Sequence, residues 1–170
     1  IDHSAVPHAV QVASLAQPLH LHGVAALVIP TAHVQRLVRA LCPHCATPHR
    51  LGPGQFDRLL AEYIDRSSLT PAEGQRRLLA AAGIESPERI LVHTATGCEK
   101  CSGKGYKGRM GIYEIFENNP AIRELIQRHA RPSELFEAAI ASGMRSLRHD
   151  ALEKLVQGKI DVRQARVAYI

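Results

Sequence analysis

The four cysteines of this 170-residue chain fall in two C-x-x-C pairs, Cys42-Pro-His-Cys45 and Cys98-Glu-Lys-Cys101. Two intervening residues let both sulfurs of a pair reach one ion from a tight turn. Two such turns brought together make a tetrahedral site of four thiolates, the usual structural zinc centre. The spacing therefore predicts Cys42, Cys45, Cys98 and Cys101 as ligands of one structural Zn²⁺. Arg39, Lys100 and Lys104 flank the pairs, and their charge favours thiolates. A closed shell leaves no position for water or substrate, so such an ion acts on folding, with about 10 kcal/mol at stake. Plain buried thiols, or a mixed site using His44 or His49, are the other readings. A thioredoxin-type redox pair is disfavoured, because two pairs are present and neither clearly follows a strand and opens a long helix.

The 52 residues between the pairs exceed the spacing of about 15 to 20 residues in ordinary zinc ribbons. The ion would pin the base of a helical insertion at residues 51–83. Within it, Gly52-Pro53-Gly54 marks a loop before a helix carrying Phe56, Leu59, Leu60, Tyr63 and Ile64. Thr70-Pro71-Ala72-Glu73 is a capping-box helix start, with an end expected near Gly83. Arg89 to Thr94 reads as a strand leading into the second pair. Arg109 to Phe116 reads as another, buried on both faces through Ile112, Tyr113, Ile115 and Phe116. Upstream, Val34, Leu37, Val38 and Leu41 stand at helical spacing, which predicts a helix over 33–41.

Helices are expected from Asn119-Pro120 and from about Pro132 to Ser142 with Gly143 as C-cap. Two more follow, from Ser146 to Gly158 and after Asp161, which is paired with Gln164. Residues 1–22 are interrupted by Pro7 and Pro18 and read as broken helix or loop. The His20-Leu-His22 pair reads as surface or packed histidine. The opening at Ile1 is read as a cut inside a larger protein. The fold class expected is mainly α with a small α+β tetracysteine subdomain containing two short strands.

Aromatics are 4% of the chain and Trp is absent, so the core must come from Leu, Ile, Val and Ala. The net charge of +5 falls to +3 once four thiolates and Zn²⁺ are counted, with both signs mixed along the chain. That argues against a nucleic-acid binder, which needs a concentrated basic face with stacking aromatics. No signal peptide is visible, and the longest apolar run, Gly23 to Pro30, is too short to cross a bilayer. The cytoplasm is the expected compartment.

The second pair lies in Gly97-Cys98-x-x-Cys101, followed by Gly105-Tyr106-x-Gly108-Arg109 and Ile112-Tyr113-Glu114. Upstream stands Gln35-Arg36-Leu37-Val38-Arg39-Ala40-Leu41-Cys42-Pro43-His44-Cys45. Near the end stands Gly143-Met144-Arg145-Ser146-Leu147, with Asp150, Lys154 and Gly158. Over residues 34–170 these motifs resemble the zinc-binding C-terminal portion of type II secretion and type IV pilus assembly ATPases. The resemblance implies a hexameric cytoplasmic motor, peripheral at the inner membrane through partners in a secretion or pilus machine. Its ATP cycle would drive pilus or pseudopilus assembly. It carries the zinc-ligand role onto Cys42, Cys45, Cys98 and Cys101 and no catalytic role onto any residue.

On that resemblance residues 1–41 end the RecA-like ATPase core, 42–118 form the tetracysteine subdomain, and 119–170 form a helical tail. The family's His box has only Asp2-His3-Ser4-Ala5 near its place, and His3 receives no role. A P-loop needs G-x-x-x-x-G-K-[ST], and Gly103-Lys104-Gly105 and Gly158-Lys159 do not fit it. ATP and Mg²⁺ are therefore expected only in the core of the parent protein, and this chain alone is expected to be inactive. Two rival classes remain. One is a zinc-dependent chaperone-like module, because Cys98-Glu-Lys-Cys101-Ser-Gly103-Lys-Gly105 is similar to the repeats of zinc-containing J-domain co-chaperones. The other is a zinc-ribbon nucleic-acid binder.

Overall fold

A computed structural model describes residues 31–169, and the readings made for residues 1–30 lie outside them. The chain is α+β. Two two-stranded antiparallel ribbons accompany six helices among the described residues. The first ribbon pairs β1 (Thr31–Leu41) with β4 (Tyr106–Glu117), from Thr31 opposite Glu117 to Leu41 opposite Tyr106, with a bulge between Arg39 and Leu41.

The helix predicted over 33–41 is thus a strand. Val34 and Val38 turn inward while His33, Gln35 and Leu37 face out, and Leu37 is 60% exposed. A helical stripe would have buried Leu37. The spacing of Val34, Leu37, Val38 and Leu41 fits a helix, but Val34 and Val38 also fit alternation. A long β-branched and aromatic partner strand then decides the outcome. β4 departs from expectation in the same way. Ile112 is fully buried, whereas Tyr113 and Ile115 lie on the outer face at 43% and 50% exposure.

The second ribbon pairs β2 (Ala46–Arg50) with β3 (Leu91–Ala95), from Ala46 opposite Ala95 to Arg50 opposite Leu91. β3 was expected and β2 was not. Ala-Thr-Pro-His-Arg has no apolar alternation, and Pro48 cannot donate to a ladder. Its extended form comes from the partner strand, so four strands stand where two short ones were expected.

Helices α1 (Gln55–Ile64) and α2 (Pro71–Ala82) form the insertion between the cysteine pairs. Thr70 Oγ1 accepts the Glu73 N–H, and α2 ends in a Schellman turn in which Ile84 N–H returns to Leu79 O. α3 (Pro120–Gln127) is capped by Asn119, whose Oδ1 accepts from Ile122 N–H. α4 (Pro132–Ala141) follows it and closes at Gly143 in a second Schellman turn, Met144 N–H to Ala139 O. Ser146 caps α5 (Leu147–Val156), and Asp161 caps α6 (Val162–Val167). A side-chain cap of this kind contributes about 1 kcal/mol.

The core gathers around α5. Its Ala151, Leu152, Leu155 and Val156 are buried, and the helix packs against α1, α2, α6 and both ribbons. No helix among the described residues is long and apolar enough to cross a membrane.

Candidate metal centre

Cys42 directly follows β1, and the chain then turns back on itself. The N–H groups of Cys45 and Ala46 both donate to Cys42 O, at 3.2 and 3.0 Å. Cys98 opens a short 3-10 turn (Glu99–Cys101), in which Cys101 and Gly103 N–H donate to Cys98 O at 3.2 and 2.9 Å. Two glycines make this second turn possible. Gly97 has φ +103°, and a Cβ there would lie 2.5 Å from Gly103 O. Gly105 has φ +74°, and its Cβ would lie 2.7 Å from Ala95 Cβ. Both conformations are open to glycine and strained for other residues.

The two turns bring all four Sγ atoms within 4.8 Å of one another. Cys42 and Cys98 are 3.9 Å apart, Cys45 and Cys101 3.8 Å, and Cys98 and Cys101 3.8 Å. A zinc tetrathiolate with Zn–S near 2.3 Å has S···S edges of about 3.8 Å, so the donor set fits that ion in type, number and spacing. Neither His44 nor His49 joins the group, and both are exposed.

The sulfurs are held by backbone amides. Cys98 N–H and Gly105 N–H donate to Cys101 Sγ at 3.2 and 3.1 Å. Burial opposes ionisation of Cys101, but those amides and the neighbouring Cys98 and Cys45 thiols outweigh it and bring its pKa down to about 6. Burial also opposes ionisation of Cys45. With the thiols of Cys98, Cys101 and Cys42 adding to it, and Gly97 N–H only partly countering, Cys45 is pushed up to about 12. Four such thiols cannot all ionise side by side unless a cation shares their charge. Lys100 and Lys104 are exposed and make no hydrogen bond to the sulfurs. Arg39 instead stacks its guanidinium 4.4 Å from the Tyr106 ring centroid.

Contacts that no spacing foretells tie this centre to the last helix. Gly105, whose N–H touches Cys101 Sγ, accepts from Cys42 N–H through its carbonyl at 2.9 Å. The next residue, Tyr106, donates its hydroxyl to Asp161 Oδ2 at 2.5 Å, while Asp161 Oδ1 caps α6 by accepting from Gln164 N–H at 2.8 Å. Leu41 N–H donates to Lys159 O at 3.0 Å, and Arg39 N–H to Gln164 Oε1 at 2.8 Å. Tyr106 lies in the Gly105-Tyr106-x-Gly108-Arg109 motif, and nothing in its neighbours tells that it faces residue 161.

A second set ties the insertion to α5. Tyr63, fully buried, donates to Glu153 Oε1 at 2.8 Å, and Arg145 Nε holds both oxygens of Glu153 at 3.0 Å. The His149 ring stands 4.6 Å from that of Tyr63. Glu62 on α1 meets Arg166 at 3.2 Å and accepts from Tyr169 at 2.5 Å. The cysteine turns thus sit at the root of an insertion whose far side is bonded to the C-terminal helices.

A family model described as type II/IV secretion system protein matches residues 11–167. The type II secretion system ATPase E of Vibrio cholerae serotype O1 is 35% identical over 124 residues, covering 73% of this chain and 20% of that protein. The type IV pilus assembly ATPase PilB of Myxococcus xanthus is 33% identical over 127 residues, covering 73% of this chain and 18% of that protein. The type II secretion system protein E of Aeromonas hydrophila is 33% identical over 131 residues, 76% of this chain and 21% of that protein. The chain spans about a fifth of the length of the curated relatives it matches. A match that runs from residue 11 to residue 167 takes in both cysteine turns, the helices between them and the helices that follow, and on that ground the chain belongs to the type II/IV secretion system protein family.

Proposed function

We propose that Cys42, Cys45, Cys98 and Cys101 hold one structural zinc ion, and that the chain is the C-terminal zinc-binding region of a secretion or pilus assembly ATPase. In this reading the parent is a hexamer at the cytoplasmic face of the inner membrane. It binds ATP and Mg²⁺ in a RecA-like core that residues 1–41 complete, and it powers pseudopilus or pilus assembly and protein export. Residues 42–118 form the tetracysteine subdomain with its insertion at 51–83, and residues 119–170 form the helical tail. The partners are the other subunits and inner-membrane components of the machine.

The observation that carries the structural role is the four-sulfur cluster, with three of its six edges at 3.8 to 3.9 Å and all within 4.8 Å, joining two turns separated by 52 residues. When bound, the ion supplies a cross-link with no open coordination position. The protein does the rest. Gly97 and Gly105 shape the turn, amides of Cys98 and Gly105 hold Cys101 Sγ, and Tyr106 passes the position of that turn to Asp161 and α6. Motion in the tail is thereby coupled to the root of the insertion.

Replacing Cys98 by Ser in the full-length parent tests this. The variant should lose its zinc and fail to assemble pili or pseudopili while still binding nucleotide. Normal assembly by a zinc-free variant would sink the reading.

A further inference from the structure

The four cysteines differ in their exposure to solvent. Cys45 and Cys98 are half-buried, Cys42 is fully buried, and Cys101 is nearly so. Each partly exposed cysteine has its sulfur beside that of a buried cysteine of the opposite turn. Cys98 Sγ is 3.9 Å from Cys42 Sγ, and Cys45 Sγ is 3.8 Å from Cys101 Sγ. Four cysteines allow three connectivities. Joining the pairs across the turns uses all four sulfurs through two of these close contacts. The remaining close contact, Cys98 to Cys101 at 3.8 Å, takes one partner from each cross-turn pair and leaves Cys42 and Cys45 to each other.

We propose that the cluster is also an oxidant-responsive site. On reaction with a peroxide it closes as Cys42–Cys98 and Cys45–Cys101, two disulfides that take over the clamp as the metal leaves. This rests on the zinc reading above. In each pair the thiolate of the less buried cysteine, Cys98 or Cys45, attacks a peroxide oxygen. The O–O bond breaks, leaving a sulfenic acid and a hydroxide that takes up a proton to become water. The buried thiolate, on Cys42 or Cys101, then attacks that sulfur, forms the S–S bond and expels a second hydroxide, which a second proton converts to water. Each pair gives up two electrons, one peroxide becomes two waters, and Zn²⁺ departs unchanged because it has no redox chemistry of its own.

The consequence lies in the topology. Both disulfides join the 42–45 turn to the 98–101 turn, so the insertion carrying α1 and α2 stays pinned at its base. Chelation under reducing conditions removes the ion and leaves no cross-link. Two routes to zinc loss therefore have opposite outcomes for the insertion, whereas disulfides within each C-x-x-C pair would release it by either route.

The test uses the purified chain with its zinc content measured first. Hydrogen peroxide is titrated in, zinc release is read with a chromogenic chelator, and linkages are mapped by mass spectrometry of unreduced peptides. Hydrogen exchange follows residues 55–82. About two peroxides should release the zinc, with Cys42–Cys98 and Cys45–Cys101 recovered. Exchange in α1 and α2 should stay within about twofold of the zinc-loaded chain after oxidation, and should rise about tenfold or more on chelation with a dithiol reductant present. Linkage within each pair, sulfinic acid in place of disulfide, or an insertion opened by oxidation would overturn the proposal while leaving the zinc reading intact. A chain purified without zinc that still forms both cross-turn disulfides would instead remove the zinc reading and keep the connectivity.

Discussion

Lowering the pH should destabilise this fold through His149, and the structure sets both the window and the size. His149 is 1% exposed, its ring lies 4.6 Å from Tyr63, and Arg77, Arg148 and Arg145 surround it. Its Nδ1 accepts the Ser146 N–H at 3.2 Å, which requires that nitrogen to be unprotonated. Burial, followed by the charge of Arg77, brings its pKa down from 6.5 to about 4, against a smaller opposing contribution from the Tyr63 backbone. The unfolded chain therefore binds a proton near pH 6.5 that the folded chain refuses until about pH 4. The stability contributed by neutral His149 is complete above pH 6.5, declines as pH falls through that window, and is gone below about pH 4. At about 1.4 kcal/mol per pH unit, the loss amounts to about 3 kcal/mol.

Urea unfolding at pH 7, 5.5 and 4.5 measures it, with His149→Gln as the companion. Other groups also titrate as the pH falls, and both proteins share that contribution. The difference between the two pH dependences therefore isolates His149. The wild type should lose about 2 to 3 kcal/mol more than the variant between pH 7 and 4.5. Equal slopes would refute the reasoning, as would an imidazole resonance titrating near its ordinary value in the folded chain.

Tyr106→Phe removes the hydroxyl that reaches Asp161 and leaves the cap on Gln164 intact. Stability should fall by about 1 to 2 kcal/mol, with faster amide exchange in α6 and an unchanged zinc content. Zinc lost together with the hydroxyl would mean that Tyr106 supports the cluster directly. Gly105→Ala places a Cβ within 2.7 Å of Ala95 Cβ at φ +74°. It should cost about 1 to 3 kcal/mol and speed zinc transfer to a competing chelator. An unchanged transfer rate would show that the turn relaxes without disturbing Cys101.

Features legible in the amino-acid order are those whose partners lie within a few residues. Each C-x-x-C spacing is one tight turn, and Thr70, Asn119, Ser146 and Asp161 cap helices by reaching amides three positions on. Such contacts need no knowledge of the rest of the fold, so the helices after residue 70 and the four candidate ligands could be read from local chemistry. β1 could not be read this way. Its residues suit helix and strand alike, and the partner that settles the matter, β4, lies 65 or more positions away. The same holds for β2, which has no apolar pattern of its own and is extended because β3 lies beside it. The network that gives the candidate metal centre its reach is also long-ranged. Tyr106 meets Asp161 across 55 positions, Tyr63 meets Glu153 across 90, and Arg39 meets Gln164 across 125. A hydroxyl or amide in the sequence has many acceptors it could serve. Which one it meets is decided only when packing of the core around α5 carries distant segments to hydrogen-bond distance and excludes the water that would otherwise take their place.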